Sequence, residues 1–191
     1  MTSQTRAEEV PGSLLGMLLF ISSELMFFGS LFGAYFTLRA DAEIWPPAGS
    51  PEPDVVRSAF FSILLIASSA TMQVGVNAAR RDDRRGLVRW SVVTIVLGAL
   101  FLSGQAWEYA DLAREGLAIS SGVYGTAFFA LTGFHGLHVI VGLCAIALIA
   151  AAARREGFGS RRIGPVEAVS LYWHFVDVVW ILLFSTIYLL R

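Results

Sequence analysis

The stretch YWHFVDVVWILLFSTIYLL, residues 172–190, is almost wholly aliphatic and aromatic, yet it carries His174 and Asp177 three positions apart. An ionisable side chain at bilayer depth costs roughly 2.5–3.5 kcal/mol on insertion scales, so such residues face protein or a cavity. Together with Glu167 and Ser170 they recur at spacings of three, four and three, which is one helical face. That face is expected to turn toward protein, flanked by Trp173 and Trp180. His174 and Asp177 then pair with each other or with a neighbouring helix. Two readings stand: a polar seam that fixes helix packing, or a proton or cofactor site.

Two other stretches raise the same question. FISSELMFFGSLFGAYF (20–36) places Glu24 roughly 16 Å from the start of its helix, near mid-membrane and at about the depth of Asp177. FHGLHV (134–139) sets His135 and His138 at i,i+3, where they are expected to point in roughly the same direction. Two histidines make an incomplete metal site. His138 and His174, on different helices, are the pair that would ligate a haem axially; hydrogen-bonded core histidines are the alternative. Glu24 is expected to be a neutral carboxyl bonded to His138, since a shared hydrogen bond avoids a lone charge in hydrocarbon. In GQAWEY (104–109), Trp107 and Tyr109 read as interfacial anchors and Glu108 as a cap or cross-helix partner. No nucleophile elbow, Walker loop, HExxH or Gly-rich dinucleotide motif occurs, which weighs against a self-contained enzyme.

The elements that must hold these residues follow from composition. Of 191 residues, 55% are hydrophobic and only 15% charged, with mean hydropathy +0.64. Soluble domains carry about 25% charged residues, so this chain is built for lipid. Five apolar segments, near 13–39, 55–80, 87–112, 124–153 and 166–190, are each long enough to span. The expected fold is all-α: a single transmembrane domain over 1–191, with five helices in a bundle. The apolar run after the polar residues 1–12 has no small-residue cleavage site and reads as a retained helix. DAEIWPPAGSPEPD (41–54) reads as a loop, RRDDRRG (80–86) as a tight charged turn, and REGLAISSGV and RREGFGSRRIGP as polar links.

Net charge is −1, which argues against a nucleic-acid partner. All fourteen basic residues are arginine. With the N-terminus inside, ten of them (Arg6, Arg80, Arg81, Arg84, Arg85, Arg89, Arg154, Arg155, Arg161 and Arg162) lie inside and four (Arg39, Arg57, Arg114 and Arg191) outside. That asymmetry predicts N-in and C-out. Cys144 is the sole cysteine, so neither an internal disulfide nor a Cys-based metal set can form. Gly12/Gly16 and Gly29/Gly33 are small-xxx-small pairs and predict close packing of the first helix.

FISSELMFFGSLFGAYF, LGALFLSGQAWEY, VYGTAFFALTGFHGLHVIVG and YWHFVDVVWILLFSTIYLL, in that order, resemble subunit III of haem-copper cytochrome c oxidases. The likeness covers roughly residues 13–191, and the five spans resemble the bacterial form that lacks the first two of seven helices. It implies a non-catalytic subunit of a proton-pumping respiratory oxidase, without a redox centre or cofactor of its own. Haem and copper would lie in partner subunit I, with subunit II in the same complex. It further implies a lipid-filled cleft that binds phospholipid, support of proton uptake and turnover stability, and a multi-pass location in the bacterial cell membrane. Glu24 matches the family's buried glutamate in S-E-x-x-F-F, and His138 matches its partner. His135, Glu167, His174 and Asp177 fall on other family positions, and Ser170 completes the polar seam. RRIGPVEA departs from the mitochondrial pattern by carrying arginines in place of histidines; Arg154, Arg155 and Arg161 are the lipid-headgroup candidates. Membership of a larger respiratory supercomplex is left open. The alternatives are subunit III of a quinol oxidase, the accessory protein of nitric oxide reductase, a haem b anchor using His138 and His174, and a small proton-coupled transporter using Glu24. The lack of internal repeats weighs against the last.

Overall fold

A computed structural model describes residues 12–155 and 163–190. Five helices fill it: α1 Gly12–Ala40, α2 Val55–Arg80, α3 Arg84–Arg114, α4 Val123–Ala153 and α5 Ile163–Phe184. The chain beyond α5 continues in a π-helical turn, Ser185–Leu189. No strand occurs among the described residues. All five helices are long and apolar enough to cross a bilayer.

Side-chain caps set two of the starts. Asp54 accepts from the backbone N–H of Val56 and Arg57, both at 3.0 Å, satisfying donors that the first turn of α2 leaves open. Asp83 does the same for Gly86 at 2.8 Å, so α3 begins at Arg84. The α2–α3 turn is therefore only residues 81–83, and three of its expected arginines, Arg80, Arg84 and Arg85, belong to helices. Its middle residue, Asp82, takes φ +55°, a conformation that Asp tolerates better than most.

Helices α2, α3, α4 and α5 pack in sequence and close into a ring through α2 against α5, while α1 leans on α5 and α4 from outside. Two tryptophans of α5 fill the ring. Trp173 donates to Ser68 Oγ at 2.9 Å and Trp180 to Ser62 Oγ at 2.8 Å, so each indole N–H finds a partner on α2. Glycines make room for such rings: a Cβ at Gly98 or Gly142 would stand 2.7 Å from Leu143 or Trp173, respectively. The expected close packing at Gly12, Gly16, Gly29 and Gly33 is not found within this chain, where an added Cβ would meet nothing within 4 Å. α1 buries only Phe28 and Tyr35, so its small residues face outward.

The 41–54 loop folds back over one end of α1. Trp45 donates to Tyr35 OH at 3.1 Å and packs edge-on between Tyr35 and Tyr124. Just below it, α1 and α4 part to leave an apolar cleft of about 500 Å³ lined by Leu31, Tyr35, Leu38, Thr126 and Ala130.

Candidate functional site

Where α1 meets the ring, Glu24 Oε2 lies 2.9 Å from His138 Nε2. The other ring nitrogen, Nδ1, is 2.7 Å from the carbonyl oxygen of Phe134. A carbonyl only accepts, so Nδ1 carries a hydrogen and donates it. One further proton then serves the Glu24–His138 contact, either on the carboxyl or on Nε2, and the pair is neutral overall in both cases. Phe28 packs edge-on against the imidazole at 4.9 Å, and Tyr172 donates to the carbonyl of His138 at 3.1 Å. One histidine thus joins α1, α4 and α5. The two side chains, Glu24 and His138, are 18% and 14% exposed.

The α5 face divides along its length. Nearest the α1 start, Glu167 accepts from Arg80 of α2 through Nη2 at 2.8 Å and Nε at 3.0 Å. Ser170 is buried one turn on. Deeper still, His174 and Asp177 do not bond each other; both meet Ser69 of α2. The Ser69 hydroxyl donates to Asp177 Oδ2 in a short hydrogen bond. Its single proton being spent there, the 2.9 Å contact to His174 is made by Nδ1–H donating to Ser69 Oγ. Asp177 Oδ1 is buried with no hydrogen-bond partner among the described residues.

His135 departs from both expectations set for it. It does not share the direction of His138, because three residues turn a helix by 300° and leave a 60° offset. The offset suffices to send His138 toward α1 and His135 into the ring, where it stacks on Trp180 at 4.9 Å and meets Phe101 edge-on at 5.9 Å. It is 1% exposed, and neither ring nitrogen has a hydrogen-bond partner among the described residues. His135 is held by aromatic packing, not by hydrogen bonds.

Glu108 is the cross-helix partner that its sequence context allowed. It is 2% exposed and accepts from Ser58 at 2.7 Å, from Tyr188 at 2.5 Å and from Gln105 at 3.5 Å, joining α2, α3 and the π turn. Its spacing from Gln105, with Tyr109 beside it, was a usable signal, but nothing local announces Ser58 or Tyr188. Nearby Arg57 pairs with Asp111 at 2.6 Å. Of the three headgroup candidates, Arg154 and Arg155 line a pocket of about 460 Å³ with Arg84, Arg85 and Arg89. Arg161 lies outside the described residues.

A model of the family described as cytochrome c oxidase subunit III matches residues 4–191. A probable cytochrome c oxidase subunit 3 of Nocardia farcinica is 46% identical over 178 residues, 93% of this chain and 87% of that protein. Its counterpart in Mycobacterium leprae is 44% identical over 193 residues, covering 100% of this chain and 95% of its own length. The cytochrome c oxidase subunit 3 of Corynebacterium diphtheriae is 45% identical over 180 residues, with coverage of 93% and 87%.

Proposed function

This chain belongs to the cytochrome c oxidase subunit III family, and from that membership we propose that it is the supporting, non-catalytic subunit of a proton-pumping oxidase. As a family member it is a multi-pass membrane protein of an oxidoreductase complex. In the proposed arrangement it packs on the haem- and copper-bearing subunit I, beside subunit II, in a bacterial cell membrane with its N-terminus inside. It has no redox centre, and it sustains proton uptake and the working life of the complex.

The observation that carries this reading is how the intramembrane polar groups are spent. Glu24 bonds His138, Asp177 and His174 bond Ser69, and Glu108 bonds Ser58 and Tyr188. Each tie links helix to helix, and no three metal-binding side chains converge among the described residues. The haem b anchor is the weaker reading because His138 already gives Nε2 to Glu24 and Nδ1 to Phe134. The apolar α1–α4 cleft suits acyl chains, and the arginine-lined pocket at the other end of α4 suits a phosphate headgroup.

Extraction in a mild detergent tests the proposal. The chain is expected to co-purify with a haem-copper subunit, and the chain separated from it is expected to lack a Soret band. Recovery only as a free homo-oligomer would overturn the reading. A haem lost from the complex on His174→Gln would revive the anchor.

A further inference from the structure

We propose that Asp177 is a proton-storage site in the middle of this subunit, filled from one membrane face through His174 and Ser69, and separate from the Glu24–His138 pair. The entry is a pocket of about 230 Å³ lined by Leu14, Gln73, Arg80, Glu167, Ser170 and His174. A water molecule occupies about 30 Å³ of liquid, so this space admits several; Val76 and Leu171 make much of the lining apolar, and Gln73, Arg80, Glu167 and Ser170 offer the water its partners. Leu14 is in the first turn of α1, Arg80 ends α2 and Glu167 lies in the second turn of α5, so the mouth is at the end of the bundle where α1 begins. The pocket floor reaches His174, roughly 10 Å further along α5 than Glu167.

From His174 a hydrogen-bonded chain continues inward: Nδ1–H donates to Ser69 Oγ, and the Ser69 hydroxyl donates to Asp177 Oδ2. Nε2 of His174 is the ring nitrogen left for pocket water. One transfer balances as follows. A hydronium ion in the pocket water gives a proton to Nε2 and is left as water, Nδ1 gives its proton to Ser69 Oγ, and Ser69 gives its own to Asp177 Oδ2. Asp177 ends as a neutral acid, Ser69 is unchanged and His174 becomes the other neutral tautomer. The reverse sequence empties the site. Asp177 is 5% exposed and its Oδ1 is unpartnered. A carboxyl built only to pin helices would have both oxygens satisfied, as Glu108 does.

Three of the titratable or charged groups on the spans packed against α5 are engaged elsewhere, and Arg39 of α1 stands at the opposite end of the bundle from the pocket mouth. Glu24 of α1 is bonded to His138 of α4, Arg80 of α2 is bonded to Glu167, and His135 of α4 is stacked on Trp180. Among the described residues, Ser69 and His174 are the hydrogen-bonded groups that run from Asp177 to the pocket.

Infrared difference spectroscopy on the intact complex in lipid, stepped in pH, tests this. A protonated-carboxyl stretch is expected that Asp177→Asn removes and Glu24→Gln leaves in place. Its shift on transfer to heavy water is expected to slow by about tenfold or more in Ser69→Ala and to recover in Ser69→Thr, which keeps the hydroxyl. A band set unchanged by Asp177→Asn would overturn storage at Asp177. Equal exchange rates in wild type, Ser69→Ala and Ser69→Thr would overturn the route.

Discussion

Glu24 and His138 stand 114 positions apart in the chain, and what joins them is chemistry that survives some substitutions and not others. Because Nδ1 of His138 holds its proton, Nε2 is available as an acceptor, and the amide N–H of Glu24→Gln can donate to it. Glu24→Gln should therefore assemble normally. Glu24→Ala leaves Nε2 without a partner and should destabilise the α1 contact by about 1–3 kcal/mol. It should shorten the number of turnovers before inactivation while sparing the initial rate, as read by progress curves of oxygen consumption. A hydrophobic carbodiimide reaching in from lipid should label Glu24 ahead of Asp177 and Glu108, since Glu24 keeps 18% side-chain exposure while Asp177 and Glu108 are only 5% and 2% exposed. Peptide mapping locates the adduct, and Glu24→Gln should abolish it. His135 predicts the opposite behaviour. Its nitrogens have no hydrogen-bond partners among the described residues, so His135→Phe should change thermal stability by no more than about 1 kcal/mol, in either direction. The pairing of Glu24 with His138 was legible in the sequence through the family resemblance, while helical rise alone puts the two roughly 6 Å apart in depth. The separation of His135 from His138 was not legible, because a 60° offset decides nothing until the neighbouring helices are in place.

At the scale of the element, hydropathy was enough to find all five spans, with ends within about three residues of those observed. α3 starts at Arg84, not near 87, because Asp83 caps it, and a hydropathy window is blind to a cap. The same blindness hid the π turn. A π turn advances more residues per turn than an α-helix, and here it presents Tyr188 to Glu108 at 2.5 Å. Tyr188→Phe should cost about 1–3 kcal/mol by stripping a donor from a buried carboxylate, and calorimetry should show it. Gly98→Leu and Gly142→Leu should fail more severely than Gly29→Leu, because Trp173 and Leu143 occupy the space at the first two and nothing occupies it at the third. Expression of folded protein in membranes is the measurement. Glycine spacing alone pointed to α1; which glycines are crowded depends on where two tryptophans of α5 land.

For the whole molecule, a closed ring of α2 to α5 with α1 leaning outside predicts unequal stability. α1 shares few buried residues with the rest. In hydrogen exchange on the chain removed from its partners, α1 should lose protection first and α5, whose Trp173 and Trp180 are 0% and 1% exposed, last. Bundle class and helix count were legible because lipid forces them. Ring order was not, since it depends on long-range ties such as Trp180 to Ser62, which no local pattern encodes.

The distance in sequence between Glu24 and His138 also sets a timetable for biosynthesis. A ribosome adds about 5–20 residues per second, so roughly 6–23 s pass between the emergence of Glu24 and that of its partner. For that interval α1 is in or beside the insertion machinery with an acidic residue halfway along it. The loop carrying Trp45 can meet Tyr35 early, but its contact with Tyr124 waits until α4 begins to emerge. The first helix made therefore stays unsecured until α4, and then α5, has arrived.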